Sequence, residues 1–387
     1  MRTNEPMFDV QRRHLLGRLA FAGVAAGGPS ALTASPADRP PSPLLGAFVH
    51  GLPKAELHIH FEGILTAPDV LRLAQKHDSD LPYQNIEAVH SDYARIVDTP
   101  TFLDVFGGMT SVIRTERDHY DLALRYFERA HLEGVKRIEM FFEPQLHLAR
   151  GIEFETIAAG LAQAREEAAS RLGLSVAYVL TFYRDHPIEQ AQDLLARSDA
   201  FGDHIVGIGL DNPQVPKTAQ KFERLFAHAR DMGYRTTTHC MVDEANVHRH
   251  IREAIEILKV DRIDHGINVT ERPELVELAL DHGTGFNVCP SLFEDRVGFR
   301  DEYFRRCARA ADTMQRLGIP VTLNSDDPGF FAGLYLNDVY LLTAEACGWG
   351  MTELARVARD SFDLAWVEAG ERRAHKTALT RYIQAFS

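Results

Sequence analysis

From Pro53 onward the chain alternates between short apolar runs and longer amphipathic segments, and this alternation restricts its fold more than any other feature. The runs are Ala55–His60, Lys136–Phe142, Ser175–Phe182, Ile205–Leu210, Tyr234–Cys240, Arg262–His265, Thr284–Val288 and Pro320–Asn324. Between them lie helical patterns such as Ile152–Leu172, Gln220–Met232, Asn246–Leu258, Pro273–Asp281 and Asp301–Leu317. Short, largely apolar runs separated by amphipathic helices indicate parallel strands covered by helices. Eight such units predict an α/β fold, a single (β/α)8 TIM barrel, with its active site at the C-terminal ends of the strands. Asp69 to His131 reads as a helical insertion after strand 1, with Tyr93–Met109 expected near the pocket mouth, and Thr352–Phe386 as C-terminal helices. The length of 387 residues accommodates one such barrel over residues 46–387.

The ends of these runs carry the candidate chemistry. The first ends His58-Ile59-His60, the fifth Thr238-His239, the sixth Asp264-His265-Gly266 and the eighth Asn324-Ser325-Asp326-Asp327-Pro328. On a strand, residues i and i+2 share a face, so His58 and His60 project together while Ile59 turns into packing. In a barrel all these ends converge on one rim. Three histidines and a carboxylate, His58, His60, His239 and Asp326, make a plausible catalytic zinc site with a further position for water. His265 could stand beside that water as a base or orienting group. The donor set admits one zinc per chain, with iron an alternative.

These motifs also carry a family resemblance. Pro53-Lys54-Ala55-Glu56-Leu57-His58-Ile59-His60-Phe61-Glu62-Gly63 resembles the opening motif of the adenosine deaminase family of the amidohydrolase superfamily. Arg262-Ile263-Asp264-His265-Gly266 and Asn324-Ser325-Asp326-Asp327-Pro328 are similar to two later motifs, and the resemblance spans about residues 50–387. It implies a (β/α)8 zinc enzyme that hydrolyses the 6-amino group of purines. His58, His60, His239 and Asp326 would bind zinc, His265 would orient or deprotonate the water, and Asp327 would hydrogen-bond N7 of the base. An aminopurine carbon is a poor electrophile and neutral water a poor nucleophile. A metal that lowers the water's pKa and an acid that protonates N1 answer both problems.

The chain departs from the family at the acid. The family's motif after the third zinc histidine is His-Ala-Gly-Glu, its Glu serving N1, whereas this chain reads His239-Cys240-Met241-Val242-Asp243-Glu244-Ala245. Val242 cannot transfer a proton. The segment from His239 to Leu258 is two residues longer than expected, which would bring Glu244 into register, with Asp243 as its rival. Both acids could instead simply start a helix, where negative side chains are favoured. For the substrate, Glu62 stands where nucleoside-specific members tend to have an Asp reaching the ribose. Gly207-Ile208-Gly209-Leu210-Asp211-Asn212 is unlike the turn of adenosine-specific enzymes, and Asn212 is a candidate substrate contact. Phe141-Phe142-Glu143-Pro144-Gln145 and Lys217 to Phe226 look like the bacterial adenine-deaminase branch, which includes enzymes acting on N6-substituted adenines. A small-molecule purine, as a free base more than as adenosine, is therefore the expected partner.

Composition narrows the alternatives. The net charge of −13 argues against nucleic acid or an anionic membrane as a partner. Cys240, Cys289, Cys307 and Cys347 are widely spaced, without a CxxC pair, and read as core residues. Within residues 1–45, Arg12-Arg13 precedes a short apolar run, Leu19 to Ala26, and a Gly/Pro/Ser/Ala-rich stretch. This resembles a twin-arginine export signal and linker, implying a periplasmic or secreted protein; an uncleaved extension would imply a cytoplasmic one. The run is too short to span a bilayer as a permanent helix. Two other functions compete. A two-metal hydrolase would call for a bridging lysine, which the fourth run lacks. A binding homologue that had lost its acid would fit Val242, but has no need of the metal ligands.

Overall fold

The computed structural model describes residues 43–96, 99–291, 299–331 and 333–386. The Arg12-Arg13 segment lies outside the described residues. Helix α1 (Pro43–Gly51) leads into β1 (Lys54–His60). Four helices follow: α2 (Ala67–Lys76), α3 (Ile86–Tyr93), α4 (Thr99–Thr110) and α5 (Glu116–Leu132). The barrel then continues with β2 (Val135–Phe142), α6 (Pro144–Leu148), α7 (Phe154–Glu167), β3 (Ser175–Tyr183), α8 (Ile188–Ser198) and β4 (Ile205–Asp211). Next come α9 (Thr218–Asp231), β5 (Arg235–Cys240), α10 (Val247–Glu253), β6 (Arg262–His265), α11 (Pro273–His282) and β7 (Gly285–Val288). The chain closes with α12 (Phe299–Leu317), β8 (Val321–Leu323), α13 (Leu336–Cys347), α14 (Met351–Leu364) and α15 (Ala369–Phe386). All eight expected runs are strands, each within one residue of its expected ends. No helix among the described residues is long and apolar enough to cross a membrane.

The strands are parallel and ordered β1 to β8 in sequence. Closure comes from backbone bonds between the first strand and the end of the last: His60 N to Asp326 O at 3.1 Å and Asp326 N to His58 O at 3.3 Å. This seam sets Asp326 beside the two histidines of β1. A buried polar chain runs inside the barrel across the same strands. Asn324 Oδ1 accepts from the amides of Leu57 (2.8 Å) and His58 (3.1 Å), and its amide donates to Thr322 Oγ1 (2.9 Å). Thr322 donates to Asn287 Oδ1 (2.9 Å), whose Nδ2 donates to Asp264 Oδ1 (2.8 Å). Asp264 Oδ2 accepts from Thr237 Oγ1 at 2.7 Å. These bonds link β1 to β8, β8 to β7, β7 to β6 and β6 to β5, which holds the strand ends at one relative height.

The insertion is held by capping chemistry. Thr115 and Asp118 form a reciprocal cap at the start of α5. Asp118 also accepts from Lys76 Nζ (2.6 Å) and His77 Nε2 (2.7 Å), tying the end of α2 to the start of α5. Helix α4 covers the rim: Phe102 stacks on Phe331 (centroids 5.6 Å) and Phe106 packs on Phe330 (5.1 Å), directly after Asp326-Asp327. The expected placement of Tyr93–Met109 near the mouth therefore holds for α4.

Candidate active site

At the β1 end, His58 and His60 are fully buried over the ring of Phe141 from β2, with centroids at 4.6 and 5.3 Å. His239 reaches the same spot from β5. His60 Nε2 lies 3.3 Å from His58 Nε2 and 3.2 Å from His239 Nε2. Asp326 Oδ1 lies 3.1 Å from His58 Nε2 and 3.7 Å from His60 Nε2. The opposite ring nitrogens are fixed from outside. His239 Nδ1 is 3.0 Å from the Leu210 carbonyl, which only accepts, so the proton sits on Nδ1 and Nε2 is a bare lone pair. His60 Nδ1 is 2.8 Å from Glu143 Oε1, whose other oxygen accepts from the Tyr183 hydroxyl at 2.5 Å. His58 Nδ1 sits 3.1 Å from Asp264 Oδ1 without hydrogen-bond alignment.

Lone pairs converging at this spacing repel unless a cation lies among them. One proton can bridge one pair, but a metal ion answers all of them. Nitrogens about 2.0–2.1 Å from a tetrahedral zinc stand about 3.3 Å apart, close to the separations here. The acids favour a cation as well. Burial opposes charge on His58, yet Asp264 and Asp326 outweigh it and carry its pKa up to about 9. His60 is likewise raised against burial, by Asp327 and Glu143. His239, with carboxylate oxygens only at 3.7 and 3.8 Å, is pushed down to about 3 by burial. His58, His60 and His239 therefore fit a metal, with Asp326 beside them through His58, and with Glu143 and Leu210 O orienting two of the histidines.

Two strand-end residues that face this center carry left-handed backbone: His265 (φ 58°) and Asp326 (φ 64°). Such torsions cost non-glycine residues about 1 kcal/mol or more and concentrate at functional sites. His265 is buried with ring centroids 5.1 Å from His58 and 5.3 Å from His239, and its Nδ1 has no partner. Asp327 is buried beside Asp326, its Oδ1 unpartnered; burial and that neighbour push its carboxyl well above the ordinary range. It rests on Gly63, where a Cβ would collide with the Asp327 carboxylate. Glu62 Oε1 accepts from His147 Nε2 (2.9 Å) and the Glu143 amide (3.1 Å), leaving Oε2 buried and unpartnered. Burial raises both Glu62 and Glu143 to about 7.

The two candidate acids after β5 are placed differently. Asp243 is half-exposed and pairs with Arg306 on α12 at 2.7 Å, so it belongs to the surface rather than to the site. Glu244 turns inward: Oε1 accepts from the Gln214 amide at 2.6 Å, and Oε2 is buried with no hydrogen-bond partner. Burial raises its pKa. Val242, at the family's acid position, is buried among apolar neighbours. Asn212 is also displaced from its expected role. Its left-handed turn (φ 69°) sends the amide to Asp185 on the surface at 3.1 Å. The preceding Asp211, 3.8 Å from His239 Nε2, takes the inward place at the end of β4. Glu143, Asp211, Asp264 and Arg184 were not singled out by motif, although each stands at or just past a strand end, which is a readable signal.

A parallel eight-stranded barrel whose rim gathers histidines and a carboxylate able to hold a metal ion is the architecture of a hydrolase of the amidohydrolase type. Residues 53–382 match the family model described as adenosine deaminase, and the chain belongs to that family of hydrolases acting on C–N bonds. It is 36% identical to the adenine deaminase of Zymomonas mobilis over 339 residues, 88% of this chain and 98% of that one. The crystal structure of an adenine deaminase from Arthrobacter aurescens superposes with a TM-score of 0.78 at 30% identity, covering 86% of this chain and 99% of that chain. A Zn-bound amidohydrolase from Burkholderia ambifaria shares the fold at 23% identity (TM-score 0.76; 95% of this chain, 96% of that chain).

Proposed function

We propose that the protein is a zinc-dependent aminohydrolase that removes the 6-amino group of adenine or an N6-substituted adenine, in preference to adenosine, giving the 6-oxo purine and ammonia or the amine. The observation that carries this reading is the convergence of three histidine nitrogens with Asp326 against His58, in a chain whose relatives include adenine deaminases. His58, His60, His239 and Asp326 would hold the zinc, which when bound supplies a Lewis acid that brings the pKa of a water toward neutrality. Iron suits the same donors.

The chain's own groups then divide the work. His265 accepts or steers the proton of the attacking water through its unpartnered ring nitrogen. Glu244, anchored by Oε1 and with Oε2 meeting only His250 Nδ1 at 3.8 Å, donates a proton to N1, so that the ring nitrogen takes up the electron pair as oxygen adds to C6. Burial raises its pKa, which favours the protonated form that can donate. Asp327 would hydrogen-bond N7 through its buried carboxyl, whose Oδ1 has no hydrogen-bond partner and rests against Gly63. Glu62, whose buried Oε2 has no partner, would accept from the N–H that a free base offers and a nucleoside lacks, and this favours the free base.

Turnover of adenine, adenosine, AMP and an N6-alkyladenine, followed by ultraviolet change and ammonia or amine release, tests the proposal. The expected result is highest kcat/KM on a free base, reduced about 10²–10⁴-fold by Glu244→Gln and unchanged by Asp243→Asn. No turnover of any purine by zinc-loaded protein would refute it.

A further inference from the structure

Arg184, the residue after β3, is fully buried and has no assigned role in the chemistry above. Its backbone is pinned between two elements: its amide donates to Asp211 O at 3.2 Å, and its carbonyl accepts from Lys221 Nζ at 2.9 Å. From there the side chain crosses the end of β4 to the end of β5. One guanidinium nitrogen, Nη2, donates to Leu210 O at 3.0 Å and to His239 O at 2.9 Å. Leu210 O is the same oxygen that accepts His239 Nδ1 at 3.0 Å. Both the orienting acceptor of the His239 ring and the backbone of His239 itself are thus held by one cationic donor. Nε and Nη1 have no protein partner.

We propose that Arg184 is a positioning residue for the metal center, holding the Leu210 and His239 carbonyls so that His239 presents Nε2 to the metal. The physical reason is the register of β4 against β5. The two strands pair only through Gly207↔Arg235 and Ile208↔Thr236, so no ladder bond ties Leu210 to His239 at the rim. The guanidinium bridges that unpaired stretch. A charge-assisted bond to a buried carbonyl is stronger than a neutral one, and the main chain from which the guanidinium reaches is fixed by the bonds of the Arg184 amide and carbonyl. Without it, the Leu210 carbonyl is free to rotate away, and His239 Nδ1 loses the acceptor that fixes its tautomer. Loss of an orienting partner of a ligating histidine typically weakens metal affinity about 10–100-fold. Arg184 also places positive charge near the metal, and removing that charge alone would tighten binding. The sign of the change therefore separates positioning from simple electrostatics.

The inference rests on the metal reading above, and the test separates the two. Apo wild type, Arg184→Met and Arg184→Lys are titrated with zinc against a chromophoric chelator, with circular-dichroism melting of each apo protein as the check of folding. The expected result is zinc affinity weakened about 10–100-fold in Arg184→Met and by more than threefold in Arg184→Lys, whose strongly hydrated ammonium on a flexible stem replaces the planar guanidinium. A folded Arg184→Met within threefold of wild type, or tighter, overturns the proposal. Should Arg184→Met fail to fold, Arg184→Lys decides on the same threefold criterion. Failure of wild type to bind zinc would instead sink the metal reading. As a signature that fold stability does not move, the downfield His239 Nδ1–H resonance of the zinc-loaded wild type should be lost or shifted in the variants, and an unchanged resonance overturns the proposal.

Discussion

Glu143→Gln isolates one electrostatic contribution to the center. In the wild type Glu143 Oε1 stands 2.8 Å from His60 Nδ1, and Oε2 accepts from the Tyr183 hydroxyl. Glutamine has the same shape. Its carbonyl can still accept from His60, and its amide can donate to the Tyr183 oxygen, so both contacts survive while the charge is lost. A hydrogen bond to a charged group contributes about 1.5–3 kcal/mol and a neutral one about 0.5–1.5. The difference is about 1–1.5 kcal/mol, or roughly five- to twelvefold in metal affinity, since about 1.4 kcal/mol is tenfold. Glu143→Ala removes the contact as well, leaving a buried Nδ1–H and the Tyr183 hydroxyl unpaired, and should approach the upper end of the roughly 10–100-fold range for such partners. Zinc titration against a chelator at pH 7.5 measures both. The reasoning is refuted if Glu143→Gln and Glu143→Ala both bind zinc within twofold of wild type, or if the two variants lose equally.

Other consequences can be checked separately. Gly63→Ala forces a methyl against the Asp327 carboxylate; kcat/KM for the free base should fall at least tenfold while zinc content stays at wild-type level by atomic absorption. Asp118→Ala removes the returning half of the capping box of α5 and its links to Lys76 and His77, and should cost about 1–2 kcal/mol in urea unfolding at pH 7. Burial opposes its charge, but Lys76 and the amides of Arg114 and Thr115 outweigh burial and depress the Asp118 pKa. Its contribution is therefore complete above the unfolded pKa of about 3.9 and fades as pH falls below it, so the penalty of the variant should shrink by pH 3. If the Arg12-Arg13 segment directs twin-arginine export, Arg12→Lys with Arg13→Lys should retain the protein in the cytoplasm on cell fractionation.

What was legible in the sequence follows from what each feature depends on. The strands were readable because each is an apolar run buried on both faces, a signal contained within a few residues. The ligands were readable because strand alternation puts His58 and His60 on one face, and barrel topology puts every strand end on one rim. Glu143, Asp264 and Arg184 were harder. Their roles depend on which atom of a neighbouring strand they meet, such as His60 Nδ1 or Leu210 O, and this is set by register rather than by motif. Asp211 and Asn212 were exchanged because a single left-handed residue decides which of two adjacent side chains faces inward. Asp243 and Glu244 stayed undecided for a similar reason. Only the folded turn shows one paired with Arg306 and the other held by the Gln214 amide.

The central claim, a single metal ion serving hydrolysis of a 6-aminopurine, is tested most directly by stripping the protein of metal with a chelator and following ammonia release from adenine as zinc is returned. Activity should be abolished by removal and should rise linearly to a plateau at one zinc per chain. Turnover that survives chelation, or a plateau that requires two zinc ions per chain, would contradict it.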